Sequence, residues 1–359
     1  MQTRHGQFLF LQQRLQYPAG QSLSFLQAIG QTEVSRWLEE FCLYCFTKMP
    51  AYTVIELQQR LLGTPLLCAQ TLLNWTKRRA DEIDARLRQQ VEAAASLAPV
   101  AIAEQVGIYD PSAEEVRVLA DGVLVKAQKP THERPAVPKK KLPRAYHQNH
   151  ILLFQSRAGN YRYLTGSTDD SVSLVQVGQA YLKQEWAGRT TPLPVVAISD
   201  GATQIRSDLF ALFGVNVTII LDWYHLQKRV YEQLSKCAHS APEREGWEQM
   251  VLWHLWHGRT EEALTFLEAL TVRNEKAHRE LLGYLQKHQS EIIDYDRRKS
   301  IGKPVGSGRM EKAVDQVVSM RQKHKGMSWS KAGSHSLAQL SIAQCNNEWN
   351  TLFSLPAAA

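Results

Sequence analysis

Residues 194–225, PVVAISDGATQIRSDLFALFGVNVTIILDWYH, decide the fold of this chain. The apolar runs VVAIS and VNVTIIL read as two buried strands, and the segment QIRSDLFALFG between them is typical of a helix. A strand, a helix and a second strand in this order predict two parallel neighbours in an α/β sheet. Each strand ends at a carboxylate, Asp200 or Asp222, and ligand sites gather at this edge of such sheets.

Three further strands precede this stretch. Alternating apolar residues predict them in VRVLADGVLVKAQ (116–128), HILLFQ (150–155) and YRYLTG (161–166), and an amphipathic helix follows at about residues 170–186. The predicted fold is therefore α/β with a mixed five-stranded sheet. After His225 helical periodicity continues to residue 300. A Gly/Ser/Pro turn then leads into a helix in which Glu311 lies beside the apolar stripe of Met310, Val314, Val317 and Val318.

The segment 34–90 is helical by its periodicity and is broken at Gly63-Thr64-Pro65. Two short helices joined by such a turn are typical of a helix-turn-helix, in which the start of the second helix reaches base edges. Here that helix opens at Cys68 and closes on the basic cluster 77–79, which suits phosphate contacts. A small helical bundle whose leucines only pack together is the alternative interpretation.

Composition sets the class of protein. The chain has 359 residues, 44% of them hydrophobic, which is enough for two or three domains with a sizeable core. A formal net charge of +7 favours a polyanionic partner, with nucleic acid as the first candidate. The opening residues lack the pattern of a secretory signal, so we expect none, and no apolar run reaches the ~18 residues that a membrane span needs. Five scattered cysteines suit a reducing compartment, so we expect a cytoplasmic, nucleoid-associated protein without membrane contact.

Three carboxylates are candidates for one metal centre: Asp121 in the first strand, Asp200 after the fourth, and Glu311 in the late helix. Mg²⁺ prefers oxygen ligands and needs few of them from the protein. Two such ions, Mg²⁺ or Mn²⁺, about 3.5 to 4 Å apart serve phosphodiester cleavage and transfer.

The ordered set LADGVLV, SDGA, DWYH and GSGRMEKAV, with helices before the last motif, resembles the DDE transposases of bacterial insertion sequences. It is most similar to those related to the Mutator-type group, and the resemblance covers about residues 100–350. It implies an RNase H-like catalytic core with a helical insertion before the catalytic Glu. By this resemblance Asp121, Asp200 and Glu311 match the metal-binding acids, while Asp222 and His225 match an accessory pair.

Each of these residues has a structural alternative. Asp121 precedes a glycine, as turn residues do, and Glu311 lies where it can cap a helix. Asp222 can cap the following helix above a half-buried His225. Between the two strand-end aspartates we favour Asp200, because the resemblance places its strand beside that of Asp121. The Asp222 strand lies one further out, roughly 10 Å away.

The resemblance implies the function of a transposase. A metal-activated water would cut the element's end, and the freed 3′-hydroxyl would attack target DNA. The helix-turn-helix would bind the terminal inverted repeats of double-stranded DNA, and pairing of two ends implies a homo-oligomer. Two rivals stay open: an RNase H-like nuclease without strand transfer, and a domesticated, catalytically inactive DNA-binding protein.

The predicted organisation is an N-terminal segment (1–33), an all-α helix-turn-helix domain (34–98), a first part of the catalytic core (99–226), an all-α insertion (227–300), a second part of the core with the Glu helix (301–350) and a tail (351–359). Candidate DNA-binding residues lie in both helical regions and in a basic Pro-rich loop. They are Gln70, Thr71, Asn74, Lys77, Arg78, Arg79, Lys139, Lys140, Lys141, Arg309, Lys312, Arg321, Lys323 and Lys325.

Other chemistry-bearing residues are better explained by packing. At least two of the tryptophans Trp247, Trp253 and Trp256 are expected in the core of the insertion. The pairs His254/His257 and Cys42/Cys45 have zinc-like spacing but no second pair nearby.

Overall fold

The computed structural model describes residues 36–63, 67–129, 145–323 and 326–354, together with four very short strands nearer the N terminus. Those strands form two antiparallel pairs, Gln2–Thr3 with Gly6–Gln7 and Arg14–Gln16 with Ser22–Ser24. The candidate DNA contacts Lys139, Lys140, Lys141 and Lys325 lie outside the described residues.

A five-stranded mixed sheet carries the rest of the chain. Its strands are β1 (Val116–Lys126), β2 (Tyr146–Gln155), β3 (Tyr161–Leu164), β4 (Val195–Ser199) and β5 (Thr218–Leu221), in the spatial order β3-β2-β1-β4-β5. Strands β1 to β3 pair antiparallel, while β4 is parallel to β1 and β5 is parallel to β4. The mixed α/β sheet of five strands is confirmed, although β2 begins four residues earlier than predicted.

Both faces of the sheet are covered by helices, which explains the continuous apolar runs of the central strands. All five residues of β4 are buried. Helices α4 (Leu174–Glu185) and α5 (Thr203–Phe213) pack on one face. The other face packs against α11 (Gly308–Val314) and α12 (Lys331–Cys345). A π turn, Asp315–Ser319, continues α11 into a last turn, Met320–Gln322.

Three helices precede the sheet: α1 (Arg36–Phe46), α2 (Ala51–Leu62) and α3 (Ala69–Ala95). Helix α3 is 27 residues long, so the expectation of two short helices is wrong for the second one. It continues because its sequence after Trp75 has no Gly or Pro and because its second half packs on α4 and α12. There the buried Asp84 accepts a hydrogen bond from Gln339 Nε2 at 2.6 Å.

Helices occupy the segment between β5 and α11. They are α6 (Trp223–Cys237), α7 (Ala241–Trp256), α8 (Thr260–Glu268), α9 (Glu275–Lys287), a 3-10 turn (Gln289–Glu291) and α10 (Tyr295–Ser300). A last helix, α13 (Trp349–Phe353), packs on α1. Within the described ranges no helix has both the length and the apolarity to cross a membrane.

Candidate active site

Three aspartates form one row across adjacent strands. The parallel register pairs Leu119 with Ile198, and continuing it by two residues places Asp121 opposite Asp200. On the other side Ser199 pairs with Leu221, so Asp222 follows in the same row. Adjacent strands are ~4.8 Å apart, which leaves Asp222 roughly 10 Å from the strand of Asp121. The strand order therefore agrees with the expectation that Asp200 is the inner neighbour.

The turn after β4 fixes Asp200. Gly201 has a φ of +81°, a conformation that side chains disfavour, so the backbone favours a glycine directly after Asp200. Asp200 Oδ1 accepts a hydrogen bond from the Ala202 N–H at 2.9 Å. The carboxylate is half-buried, and its residue lies three positions before the start of α5.

Asp121 is half-buried in the middle of β1. Burial raises the pKa of its carboxyl, while a hydrogen bond of 2.6 Å from the Gly122 N–H lowers it. The negative charges of Asp200 and Glu311 raise this pKa further, and His225 lowers it. The pKa of Asp121, on β1, thus responds to charges on three other segments: α6, α11 and the turn after β4.

Glu311 reaches this place from α11, which packs on β1 through the buried Met310 and Ala313. Its side chain is exposed and accepts no hydrogen bond from the described residues. The N-cap residue Ser307 also makes no side-chain cap. The Glu311 side chain therefore forms no cap, although it lies in the first turn of α11, where the helix dipole favours a negative charge.

Asp222 is held by two backbone groups and is 1% exposed. Its Oδ1 caps α6 by accepting from the His225 N–H at 3.0 Å, and its Oδ2 accepts a short hydrogen bond from the Ser307 N–H. The capping alternative describes Asp222. The second contact, which sequence reasoning missed, ties the end of β5 to the residue before α11 and so helps to place Glu311.

His225 is half-buried on the first turn of α6, and its ring carries no hydrogen bond from the described residues. Its charge acts on Asp121, whose pKa it lowers. The imidazole therefore lies close enough to Asp121 to act on its carboxylate.

The three acids have the donor chemistry that Mg²⁺ or Mn²⁺ prefers. Two of them lie on adjacent strands and the third on a helix packed against β1. In the described part of the chain no three His, Cys, Asp or Glu side chains already form a metal-binding group. The negative charges of Asp200 and Glu311 help to raise the pKa of Asp121, so the three carboxylates lie close enough to interact electrostatically.

Helix α3 presents a polar face at its start. Gln70, Asn74, Lys77 and Arg78 are exposed, at spacings that place them along one side of the helix, and Thr71 is half-buried beside them. Gln70 Nε2 donates to Asn74 Oδ1 at 2.9 Å. This face is therefore exposed to solvent.

Arg79 does not belong to that face, and its assignment as a DNA contact is wrong. Its guanidinium is buried, with Nε 2.7 Å from Glu39 Oε1 and one Nη 2.8 Å from Glu82 Oε2. It also lies over the ring of Phe353. Arg79 holds α1, α3 and α13 together, whereas Arg78, paired with the other oxygen of Glu39, keeps 45% of its side chain exposed.

Arg321 is likewise wrong as a DNA contact. It is 4% exposed, donates to the carbonyl of Phe46 at 2.8 Å and lies between the rings of Phe46 and Trp329. Burial lowers its pKa to about 10. The other basic candidates of this region, Arg309, Lys312 and Lys323, are exposed.

Two of the three tryptophans of the insertion pack against the core, as expected. Trp247 and Trp256 are half-buried against the core, while Trp253 is 47% exposed with Arg259 over its ring. Cys42 and Cys45 are buried side by side, and burial raises the pKa of Cys42 to about 12.

Comparisons with known proteins add little. No family model and no curated protein matches the chain. Among solved structures, the Drosophila P element transposase strand transfer complex is similar to it at 12% identity, over 93% of this chain and 82% of that one. The TM-score is 0.26, and a similarity at that level carries no argument about fold or function.

Proposed function

We propose that this protein is a DDE-type transposase of an insertion sequence, with an RNase H-like catalytic core. The observation that carries the proposal is the placement of Asp121 and Asp200 on adjacent parallel strands, with the Glu311 helix packed against the first of them. The strand order, with the Asp222 strand outermost, supports the RNase H-like assignment.

Asp121, Asp200 and Glu311 would hold two Mg²⁺ or Mn²⁺ ions, which supply an activated attacking oxygen and a stabilised leaving oxygen. The chain's own residues set the geometry. The Asp-Gly turn fixes one carboxylate at the strand end, and the π turn extends the helix that carries Glu311. Asp222 holds the start of that helix. His225 provides a hydrogen-bonding group beside the acids for the DNA phosphate.

The DNA partner is proposed on the exposed face of α3 and on the exposed cations after Glu311. Gln70, Thr71 and Asn74 would meet base edges, and Lys77 and Arg78 would meet phosphates. Arg309, Lys312 and Lys323 lie on the segment that carries Glu311 and would contact the strand being cut. Two DNA ends held at once require two copies of the chain, so the active form is proposed to be a homo-oligomer.

The proposal is tested with purified protein, Mn²⁺ and labelled DNA that contains the sequences flanking its coding region. A transposase yields both cut ends and ends joined to a second DNA. Cut ends without joined products would assign the chain to the nucleases of this fold. No cutting at all would leave a DNA-binding protein.

A further inference from the structure

A buried pair lies at the end of the helical insertion, next to the turn that carries Asp200. His288 is 1% exposed and Glu291 is 3% exposed, and Nδ1 of the histidine is 2.6 Å from Oε2 of the glutamate. Buried polar groups of this kind persist only when they are paired, so each fixes the other.

The imidazole of His288 packs directly on Gly201. A Cβ at residue 201 would lie 3.0 Å from Cε1 and 3.3 Å from Nε2 of the ring, and 2.8 Å from Leu221 Cδ1. The residue after Asp200 is thus enclosed between the end of β5 and the end of the insertion. A side chain at residue 201 would therefore meet both the strained φ and these neighbours.

Two further contacts join the same two segments. Arg206 Nε, on the first turns of α5, lies 3.0 Å from Glu291 Oε1. Lys287 Nζ donates to Thr203 Oγ1 at 3.0 Å. Residues 287–291 therefore hold the Asp200 turn and the start of α5 from outside the sheet.

The pair also connects to the helices of the insertion. The ring of Tyr284 lies 4.8 Å from that of His288, and the guanidinium of Arg229 on α6 lies over Tyr284 at 5.6 Å. A continuous stack thus runs from α6, which carries His225, through α9 to Gly201.

We propose that His288, backed by Glu291, is a positioning residue that sets the Asp200 carboxylate for metal binding, so that the insertion controls the metal site. This inference rests on the proposed function. Residues that orient metal ligands typically change metal affinity about 10- to 100-fold when they are replaced. A pair that only stabilises the core would change the melting temperature and leave the metal affinity of the folded protein unchanged.

The test measures Mn²⁺ binding to the full chain without DNA, by the loss of the free-ion electron paramagnetic resonance signal, together with the melting temperature. The variants are His288→Asn, whose amide can still donate to Glu291 but does not reach Gly201, and Lys287→Ala, which removes an exposed contact to Thr203. Controls on the same helix are His278→Ala, whose ring contacts the Leu267 carbonyl instead, and the exposed Lys276→Ala.

We expect His288→Asn to weaken Mn²⁺ binding by about 10-fold or more. Lys287→Ala should also weaken Mn²⁺ binding. Both controls should bind as the wild type does. Wild-type affinity in folded His288→Asn and in Lys287→Ala would overturn the inference. Failure of the wild type to bind Mn²⁺, or equal binding by Asp121→Asn, would instead overturn the proposed metal site.

Discussion

At the scale of single residues, the three aspartates of the row differ in what already occupies their oxygens. Asp222 has both oxygens engaged by backbone N–H groups, whereas Asp121 and Asp200 each accept one local bond. A carboxylate with both oxygens used by the fold is poorly available to a cation. In the proposal, Asp121 and Asp200 are therefore metal ligands. Asp222 instead holds the surrounding backbone in place.

Asp121→Asn tests the electrostatics of the site. Burial, Asp200 and Glu311 raise the pKa of Asp121 above 3.8, so the native state binds more protons than the unfolded chain just above that pH. Stability then falls as pH rises through this interval, and the penalty remains at neutral pH. Without divalent ions, Asp121→Asn should melt a few degrees higher than the wild type at pH 7 and no higher at pH 3. The exposed Asp81→Asn is the control, and a wild type that melts above Asp121→Asn at pH 7 would contradict the account.

Asp222→Asn separates a framework residue from a metal ligand. The backbone N–H of His225 or of Ser307 would then face the amide N–H₂ of the new side chain. An unpaired buried donor of this kind lowers the free energy of unfolding by about 1–3 kcal/mol. We expect a lower denaturation midpoint and about a 10- to 100-fold loss of DNA cleavage in folded protein. Asp200→Asn should keep the stability of the wild type and lose cleavage entirely. The reverse order of the two variants in the cleavage assay would show that the outer acid is the ligand.

Sequence reasoning separated Asp200 from Asp222 because the resemblance to RNase H-like transposases implies the order of the strands. It did not separate Arg78 from Arg79, although they are neighbours. The difference depends on Glu39 and Phe353, which lie far away along the chain, and no local pattern indicates that both contact Arg79.

At the scale of secondary-structure elements, helix α3 has two different parts. Its first two turns present a polar face, and the rest packs on α4 and α12. The periodicity of the sequence predicts a helix in this segment, but it does not predict the residue at which the helix ends. Helices end where capping or packing stops them, and the packing partners here come from residues 174–185 and 331–345.

Arg78→Ala and Arg79→Ala form a matched pair on this helix. Arg78→Ala should fold normally and bind DNA more weakly. The slope of the logarithm of the binding constant against the logarithm of the salt concentration should fall by about one. Arg79→Ala leaves the buried Glu39 with less compensation, so we expect a loss of about 3–5 kcal/mol of unfolding free energy. Denaturant unfolding and DNA titrations at several salt concentrations measure both. A stable Arg79→Ala that binds DNA poorly would restore Arg79 as a DNA contact.

At the scale of the whole molecule, the helical segment between β5 and α11 is tied to the five-stranded sheet at both ends. Asp222 caps its first helix. Arg298, in its last helix, is fully buried against Glu115, just before β1, with Nη to Oε distances of 2.6 and 3.0 Å. The sequence predicted an all-helical insertion. It could not predict this closing contact, because a charged residue in a helix is ordinarily exposed.

Arg298→Ala should therefore destabilise the whole chain by about 3–5 kcal/mol, because it leaves Glu115 buried with Lys303 as its remaining cation. Its exposed neighbour Arg297→Ala is the control and should change stability little. Urea unfolding followed by tryptophan fluorescence measures both variants. Equal midpoints for the two would mean that the insertion is not anchored through Arg298.

The central claim is that Asp121, Asp200 and Glu311 form a metal-dependent centre for DNA strand cleavage. The most direct measurement compares wild type and Asp200→Asn in cutting labelled DNA with Mn²⁺ or with EDTA, after equal melting temperatures have shown that both are folded. The account predicts cutting by the wild type only with Mn²⁺, and no cutting by the variant. Equal cutting by Asp200→Asn, or cutting by the wild type in EDTA, would contradict it.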